Sequence, residues 1–286
     1  MHFLLLKVLS SVGMGLVLKH NDARRMPRLP MIRVNYAVAA ILAFFGAVAV
    51  GQKTVSPQTA VLGAVTGVLF VAGLLCWSRT IQAAGLALSV VAMRTSIVLP
   101  VVASAVIWRE RPGTFELAGS GAALLALGLV LYDTVRKRGG PGRRERGAAL
   151  WLAGLFLVDG LVVTAAQVFR QEMPQNENLP FQAIIFVSAF VVTTVLYYLR
   201  KERVTRPALT AGALLGTANL GNYLFLVLAL TVLPGIVVYP VMAAAEVGLL
   251  ALAGGVIWRE RFGWLSWTGI GLAVAALVVL QLGRAV

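Results

Sequence analysis

Charged side chains are scarce in this chain of 286 residues. They make up 13% of it, about half the share of a soluble domain, while 59% of residues are hydrophobic and the mean hydropathy is +0.86. That scarcity excludes a water-soluble enzyme and a disordered chain. Cysteine is nearly absent, and Cys76 alone excludes an internal disulfide and any Cys-based metal site. His2 and His20 belong to no metal or catalytic constellation. There is no nucleophile–base pairing and no nucleotide-binding motif, so nothing supports a cofactor or ATP-driven transport. Gly119-x-Gly121 and Gly269-x-Gly271 follow no strand, which removes the phosphate-loop reading. Acidic residues number 11 against 25 basic ones, a formal net charge of +14. Such a balance can mark a nucleic-acid binder, but that function needs a polar surface, and little exists here. The basic residues read instead as loop charges that set membrane orientation.

What is abundant is apolar sequence in runs of membrane-crossing length. A bilayer core about 30 Å thick takes roughly 20 residues per helix. Ten stretches qualify: 3–19, 31–50, 59–78, 84–107, 115–132, 148–169, 180–199, 208–230, 235–257 and 264–282. The sequence thus predicts an all-α integral membrane protein with ten transmembrane helices. The longest polar segments are 19–30, 133–147 and 170–179. The first span lacks a small-residue cleavage site followed by a soluble domain, so it is expected to be retained. Pro30, Pro57, Pro180 and Pro207 each open a span, where a missing N–H costs nothing.

Those prolines also reveal a repeat. Pro30 and Pro180 differ by 150 positions, as do Pro57 and Pro207, Gly85 and Gly235, Gly119 and Gly269, and Gly121 and Gly271. Val106-Ile107-Trp108-Arg109-Glu110-Arg111 recurs letter for letter as Val256-Ile257-Trp258-Arg259-Glu260-Arg261, and glycine follows each copy at Gly113 and Gly263. The expected organisation is a first five-helix repeat over 1–134, a basic inter-repeat loop over 135–147 and a second five-helix repeat over 148–286. An odd number of spans per repeat forces the second to enter the membrane in the opposite direction. Two inverted five-helix repeats are a common construction for secondary transporters, with a site near the midplane. Duplication alone can equally produce a non-transporting membrane scaffold or a lipid-interacting protein.

Ten spans, two repeats and a Glu-Arg-x-Gly-type signature between the fourth and fifth helix of each repeat resemble the drug/metabolite transporter (DMT) superfamily, and within it the EamA-type ten-helix permeases. The residues carrying the resemblance are Glu110-Arg111-Pro112-Gly113 with Gly119, and Glu260-Arg261-Phe262-Gly263 with Gly269. The stretch Met93-Arg94-Thr95-Ser96-Ile97-Val98-Leu99-Pro100 resembles the fourth helix of one EamA subgroup. The resemblance covers essentially the whole chain. It implies a transporter with a central cavity and outward and inward states, often coupled to protons or exchange. Its substrates would be amino acids, metabolites or drugs.

Charges inside spans cost at least about 2.5–3.5 kcal/mol each at a helix centre, and four stand out: Lys7, Arg94, Asp159 and Glu246. Lys7 either snorkels to the interface or turns inward. Arg94 needs a cavity or a partner. Glu246 corresponds to Ser96 under the offset, so it is expected at the depth of Arg94, with Asp159 a further candidate partner. Arginine presents a planar fork that can hold a substrate carboxylate or a protein one, and either acid can exchange protons during transport. A static structural ion pair is the plainer alternative. Asn35 and Tyr36, Gln167, and Asn219, Asn222 and Tyr223 are neutral candidates for lining a cavity, or for bonding neighbouring helices. Trp77, Tyr239 and Phe225 are candidate apolar walls. Pro100 and Pro240 are expected to interrupt spans four and nine. Gly63-x-x-x-Gly67 and Gly212-x-x-x-Gly216 read as packing faces, and the Trp-Arg-Glu-Arg loops as helix caps and headgroup anchors.

Loops on one side carry 18 Lys and Arg against 5 on the other, with Lys7 and Arg94 inside spans. Positive-inside then predicts a multi-pass protein of the cell (inner or plasma) membrane with both termini outside, opposite to the usual depiction of EamA relatives. The expected function is export of a small polar metabolite, an amino acid or related carboxylate, by alternating access. Expected partners are that small-molecule substrate, the lipid bilayer with its anionic lipids, and protons. The assembly would be a monomer or a homodimer.

Overall fold

The computed structural model describes residues 2–23, 28–52, 54–84, 86–137, 147–200 and 204–258, with isolated positions between 264 and 275. It is all-helical, with no strand among the described residues. The helices are α1 (His2–Ala23), α2 (Arg28–Ala49), α3 (Pro57–Ala84), α4 (Leu86–Thr95), α5 (Val98–Val106), α6 (Thr114–Lys137), α7 (Ala148–Glu172), α8 (Asn178–Arg200, led in by a 3-10 turn, Gln175–Glu177), α9 (Arg206–Leu230) and α10 (Gly235–Trp258). α4 and α5 together occupy the fourth expected span, and α10 the ninth. The tenth, 264–282, lies outside the described residues apart from the isolated positions.

Helix starts follow local chemistry. Ser56 caps α3, its hydroxyl accepting the Thr59 N–H at 3.3 Å, and Thr205 caps α9 through the Ala208 N–H at 3.4 Å. All four span-opening prolines lie in a first helical turn. The Glu177 carboxylate accepts the Ser56 N–H at 2.9 Å and the Ser56 hydroxyl at 2.8 Å, tying the start of α3 to the turn before α8.

The fourth span is not one helix. Pro100 has no N–H for the carbonyl of Ser96, and its ring collides with that carbonyl four residues back. The chain turns at Ser96–Ile97, where the Ser96 carbonyl takes the Leu99 N–H instead, at 3.0 Å. Pro240, expected to interrupt the ninth span, does not: it lies inside a continuous α10. The Ile236 carbonyl loses its N–H partner there, and the helix runs on.

Five helices are long and apolar enough to cross a membrane: α2, α3, α7, α8 with its leading turn, and α9. Spans one, four, five and nine supply shorter apolar stretches, 2–18, 92–106, 117–129 and 235–250. Large apolar side chains face outward along these helices, for example Val187, Val191 and Val195 down one stripe of α8, while Asn35, Thr66, Gln182, Thr193 and Asn219 are buried. That distribution suits helices solvated by lipid, and the chain is a helical membrane protein.

The chain forms two compact units, one of residues 2–72 and 168–228, the other of 73–167 and 229–286. In the first, α2 lies along α8, and glycines let α3 and α9 press onto this pair. A side chain at Gly63 would lie 3.0 Å from Ile184, and one at Gly67 would strike the Ile185 carbonyl and sit 2.7 Å from Ser188. One at Gly212 would lie 2.7 Å from Val34, and one at Gly216 would lie 2.5 Å from the Asn35 carbonyl and 3.0 Å from Val38. Positions 184, 185 and 188 are 34, 35 and 38 shifted by 150, whereas the glycines are related by 149. One packing arrangement is therefore made twice, each time between a helix of one sequence half and a helix of the other. Tyr36 and Phe186, also 150 apart, stack on each other at 6.4 Å. In the second unit α10 packs on α6 and α5. Gly160 of α7 faces the break in span four, where a side chain would strike Leu99.

Candidate functional site

The second unit gathers three of the four charges that fall in expected spans around the α4–α5 break. Arg94 lies in the last turn of α4, and its Nη1 sits 2.6 Å from Oε2 of Glu246 on α10. The Glu246 side chain is 3% exposed and that of Arg94 25%. The remaining N–H groups of the guanidinium carry no hydrogen bond among the described residues. One edge of the guanidinium holds a buried carboxylate, and a quarter of the Arg94 side chain stays exposed.

Ser96, in the break itself, extends the group. Its hydroxyl oxygen lies 2.6 Å from Oδ2 of Asp159 on α7 and 2.6 Å from the Met93 carbonyl. A hydroxyl owns one hydrogen. Two short contacts to acceptors therefore require either that it be shared or that the Asp159 carboxyl bring a proton of its own. The break created by Pro100 is what turns Ser96 toward α7, so the site depends on a helix interruption.

A second polar layer lies further along the same helices. Asp159 and Gln167 are eight residues apart on α7, about 12 Å, and Tyr239 and Glu246 are seven apart on α10, about 10 Å. Gln167 donates from Nε2 to Glu110 Oε1 at 2.7 Å, and its Oε1 accepts the Tyr239 hydroxyl at 3.2 Å. Glu110 Oε2 accepts the Ile236 N–H at 3.1 Å, capping α10 with a carboxylate where the helix dipole favours one. Glu110 reaches this position because Arg109 takes the left-handed conformation, φ +50°, and the Glu110 N–H returns to the Ser104 carbonyl at 3.1 Å. Gly235, which opens α10, leaves room for Gln167: a side chain there would lie 2.8 Å from its Oε1. Arg111 and Gly113 of the same loop are exposed. Glu260, Arg261 and Gly263 lie outside the described residues.

The other sequence-derived residues fall elsewhere. In the first unit Asn219 donates to Asn35 at 3.2 Å, joining α9 to α2. Tyr36 and Tyr223 are buried in an aromatic cluster, Phe70 standing edge-on to both at 6.4 and 5.7 Å. Asn222 has a buried carbonyl oxygen with no partner among the described residues. Trp77 is half-buried on α3 in the second unit, and Lys7 is buried rather than at the surface. Sequence reasoning missed Ser96 as a ligand of Asp159, and it read the Trp-Arg-Glu-Arg loops as helix caps without showing that Glu110 caps α10. The signal for Ser96 was Pro100, whose disrupted carbonyl lies four residues back. No group of three or more His, Cys, Asp or Glu side chains able to hold a metal occurs among the described residues.

No family model matches this sequence. An uncharacterized protein of Haemophilus influenzae is 24% identical over 295 residues, an alignment covering 98% of this chain and 97% of that protein. A crystal structure of a protein superposes with a TM-score of 0.73 at 15% identity, covering 98% of this chain and 95% of that one. At that identity the likeness establishes a shared fold across the full length of both chains.

Proposed function

We propose that this chain is a ten-helix secondary transporter of the DMT superfamily, EamA type, which exports an amino acid or related carboxylate by alternating access. The observation that carries the reading is the Arg94–Glu246 pair, set in apolar helices beside a helix break, with guanidinium N–H groups that carry no hydrogen bond among the described residues. A substrate carboxylate arriving at Arg94 competes with Glu246 for the fork. Glu246, displaced, is too costly to leave charged and unpaired in an apolar helix, so it takes up a proton. Substrate arrival and proton uptake are coupled through one arginine. Asp159 and Ser96 supply a neighbouring position for that proton, as the hydrogen count at Ser96 allows.

The Glu110–Gln167–Tyr239 layer is the closing contact at one end of this site, joining the loop after α5, α7 and α10. The reciprocal packing of α3 on α8 and α9 on α2, with Tyr36 stacked on Phe186, supports two inverted repeats about a two-fold axis. The charge bias supports a multi-pass cell-membrane protein with termini outside.

The test is uptake and counterflow in proteoliposomes across a panel of amino acids and related carboxylates, with and without a pH gradient. A transporter moves at least one of them well above the empty-vesicle rate and responds to the gradient. Flux no faster than empty vesicles over the whole panel would favour a scaffold.

A further inference from the structure

Arg33 stands apart from both polar layers. It belongs to the basic stretch that opens α2, yet it is the sixth residue of that helix, more than a turn inside it. Its Nε donates to Thr194 Oγ1 at 3.1 Å. Its guanidinium carbon lies 4.8 Å from the centre of the Tyr197 ring and 5.6 Å from those of Phe190 and Tyr198. Positions 190, 194, 197 and 198 share one face of α8, so a single helix face holds the arginine by its inner edge and by its plane. The two outer amino groups carry no hydrogen bond among the described residues.

That held fork opens into a pocket of about 230 Å³ whose other walls, including Val34, Ala37, Val204 and Leu209, are apolar. The volume is below the roughly 300–1,000 Å³ of a site that encloses a small molecule. It suits a ligand that inserts one polar group and leaves an apolar remainder outside, against the exposed Val204 and Leu209. The surrounding sequence is basic on both sides: Arg24, Arg25 and Arg28 precede Arg33, and Arg200, Lys201, Arg203 and Arg206 surround the single acid Glu202. An unbonded guanidinium fork pairs bidentately with phosphate, and clustered Lys and Arg at a membrane surface attract anionic lipid.

We propose that the Arg33 pocket is a binding site for an anionic phospholipid. The phosphodiester sits on the two outer amino groups of Arg33, and an acyl chain lies along Val34, Ala37 and Leu209. The proposal rests on membrane residence and is independent of transport.

Native mass spectrometry of the detergent-purified full chain tests it, titrating phosphatidylglycerol and phosphatidylcholine separately. The wild type should bind its first phosphatidylglycerol at least about fivefold more tightly than phosphatidylcholine. Arg33→Gln should bring that ratio to within about twofold, and Arg33→Lys, which keeps the charge but loses the planar fork, should lower it about threefold. Arg79→Gln, removing an arginine that lies over Trp151 in the other unit, should keep the wild-type ratio. Millimolar inorganic phosphate should leave phosphatidylglycerol binding unchanged. The proposal is overturned by a wild type without preference, by an Arg33→Gln protein that keeps it, or by displacement with free phosphate. If Arg33→Gln does not yield folded protein, Tyr197→Leu takes its place, and full retention of the preference in that variant is equally contrary.

Discussion

At the residue scale, the Arg94–Glu246 contact is both an energetic liability and the proposed working part. Removing one partner leaves the other charge buried without compensation, which costs about 3–5 kcal/mol in a fully buried pair. The cost here should fall below that range, because Arg94 keeps a quarter of its exposure. Arg94→Met and Glu246→Met should each lower thermal stability in detergent, and the double substitution should recover most of the loss. An additive double mutant would show that the two side chains do not depend on each other. Glu110 makes a different prediction. Glu110→Ala removes the acceptor for the Ile236 N–H and for Gln167, and should cost about 1–3 kcal/mol by thermal unfolding. Glu110→Gln, which keeps an acceptor oxygen, should cost less, and an Ala variant as stable as wild type would remove Glu110 from its capping role.

These residues differ in how far the sequence disclosed them. Arg94, Asp159 and Glu246 stand out because a charge inside an apolar run has no cheap explanation. Arg33 was hidden by its neighbours: five residues from a cluster of arginines, it reads as one more loop charge, and its aromatic surroundings come from a helix about 160 residues away. The partners of Glu110 were hidden for the same reason, since a cap supplied by a distant loop leaves no local spacing to read.

At the element scale, the glycine pairs were legible as packing faces, but their targets were not. The small-xxx-small pattern says that a helix can approach another closely and leaves open which one. The reciprocal arrangement makes a paired prediction. Gly67→Ala and Gly216→Ala each place a methyl against a backbone carbonyl of the facing helix, so each should destabilise by about 1–3 kcal/mol, and by similar amounts. Gly121→Ala, which meets nothing within 4 Å, should be neutral or stabilise its helix by up to about 1 kcal/mol. Thermal unfolding of the three variants decides it, and a tolerated Gly67→Ala would contradict the close approach of α3 to α8. The two prolines teach a related lesson. Hydropathy alone made Pro100 and Pro240 equivalent, whereas the structure separates them: α10 runs on through Pro240, and the chain turns at Ser96–Ile97 before Pro100.

At the scale of the whole molecule, the 150-residue repeat could be read because Trp-Arg-Glu-Arg is an improbable string to meet twice. The grouping of helices into two units could not. Its boundaries fall inside α3, between Ala72 and Gly73, inside α7, between Gln167 and Val168, and inside α9, between Leu228 and Ala229, and an unbroken apolar run carries no mark of such a division. Three of the four charges in the expected spans, Arg94, Asp159 and Glu246, belong to one unit, while Lys7 and the Asn35–Asn219 bond belong to the other. The charges carried by apolar helices are thus concentrated in one unit.

The most direct test of the central claim is substrate flux through Arg94→Gln in proteoliposomes, with orientation and amount of inserted protein matched to wild type. If the guanidinium is the group on which substrate carboxylate and Glu246 exchange, flux of every transported compound falls to the empty-vesicle rate while the protein stays inserted and folded. Flux retained near the wild-type rate would make the Arg94–Glu246 pair a structural contact and would contradict the account.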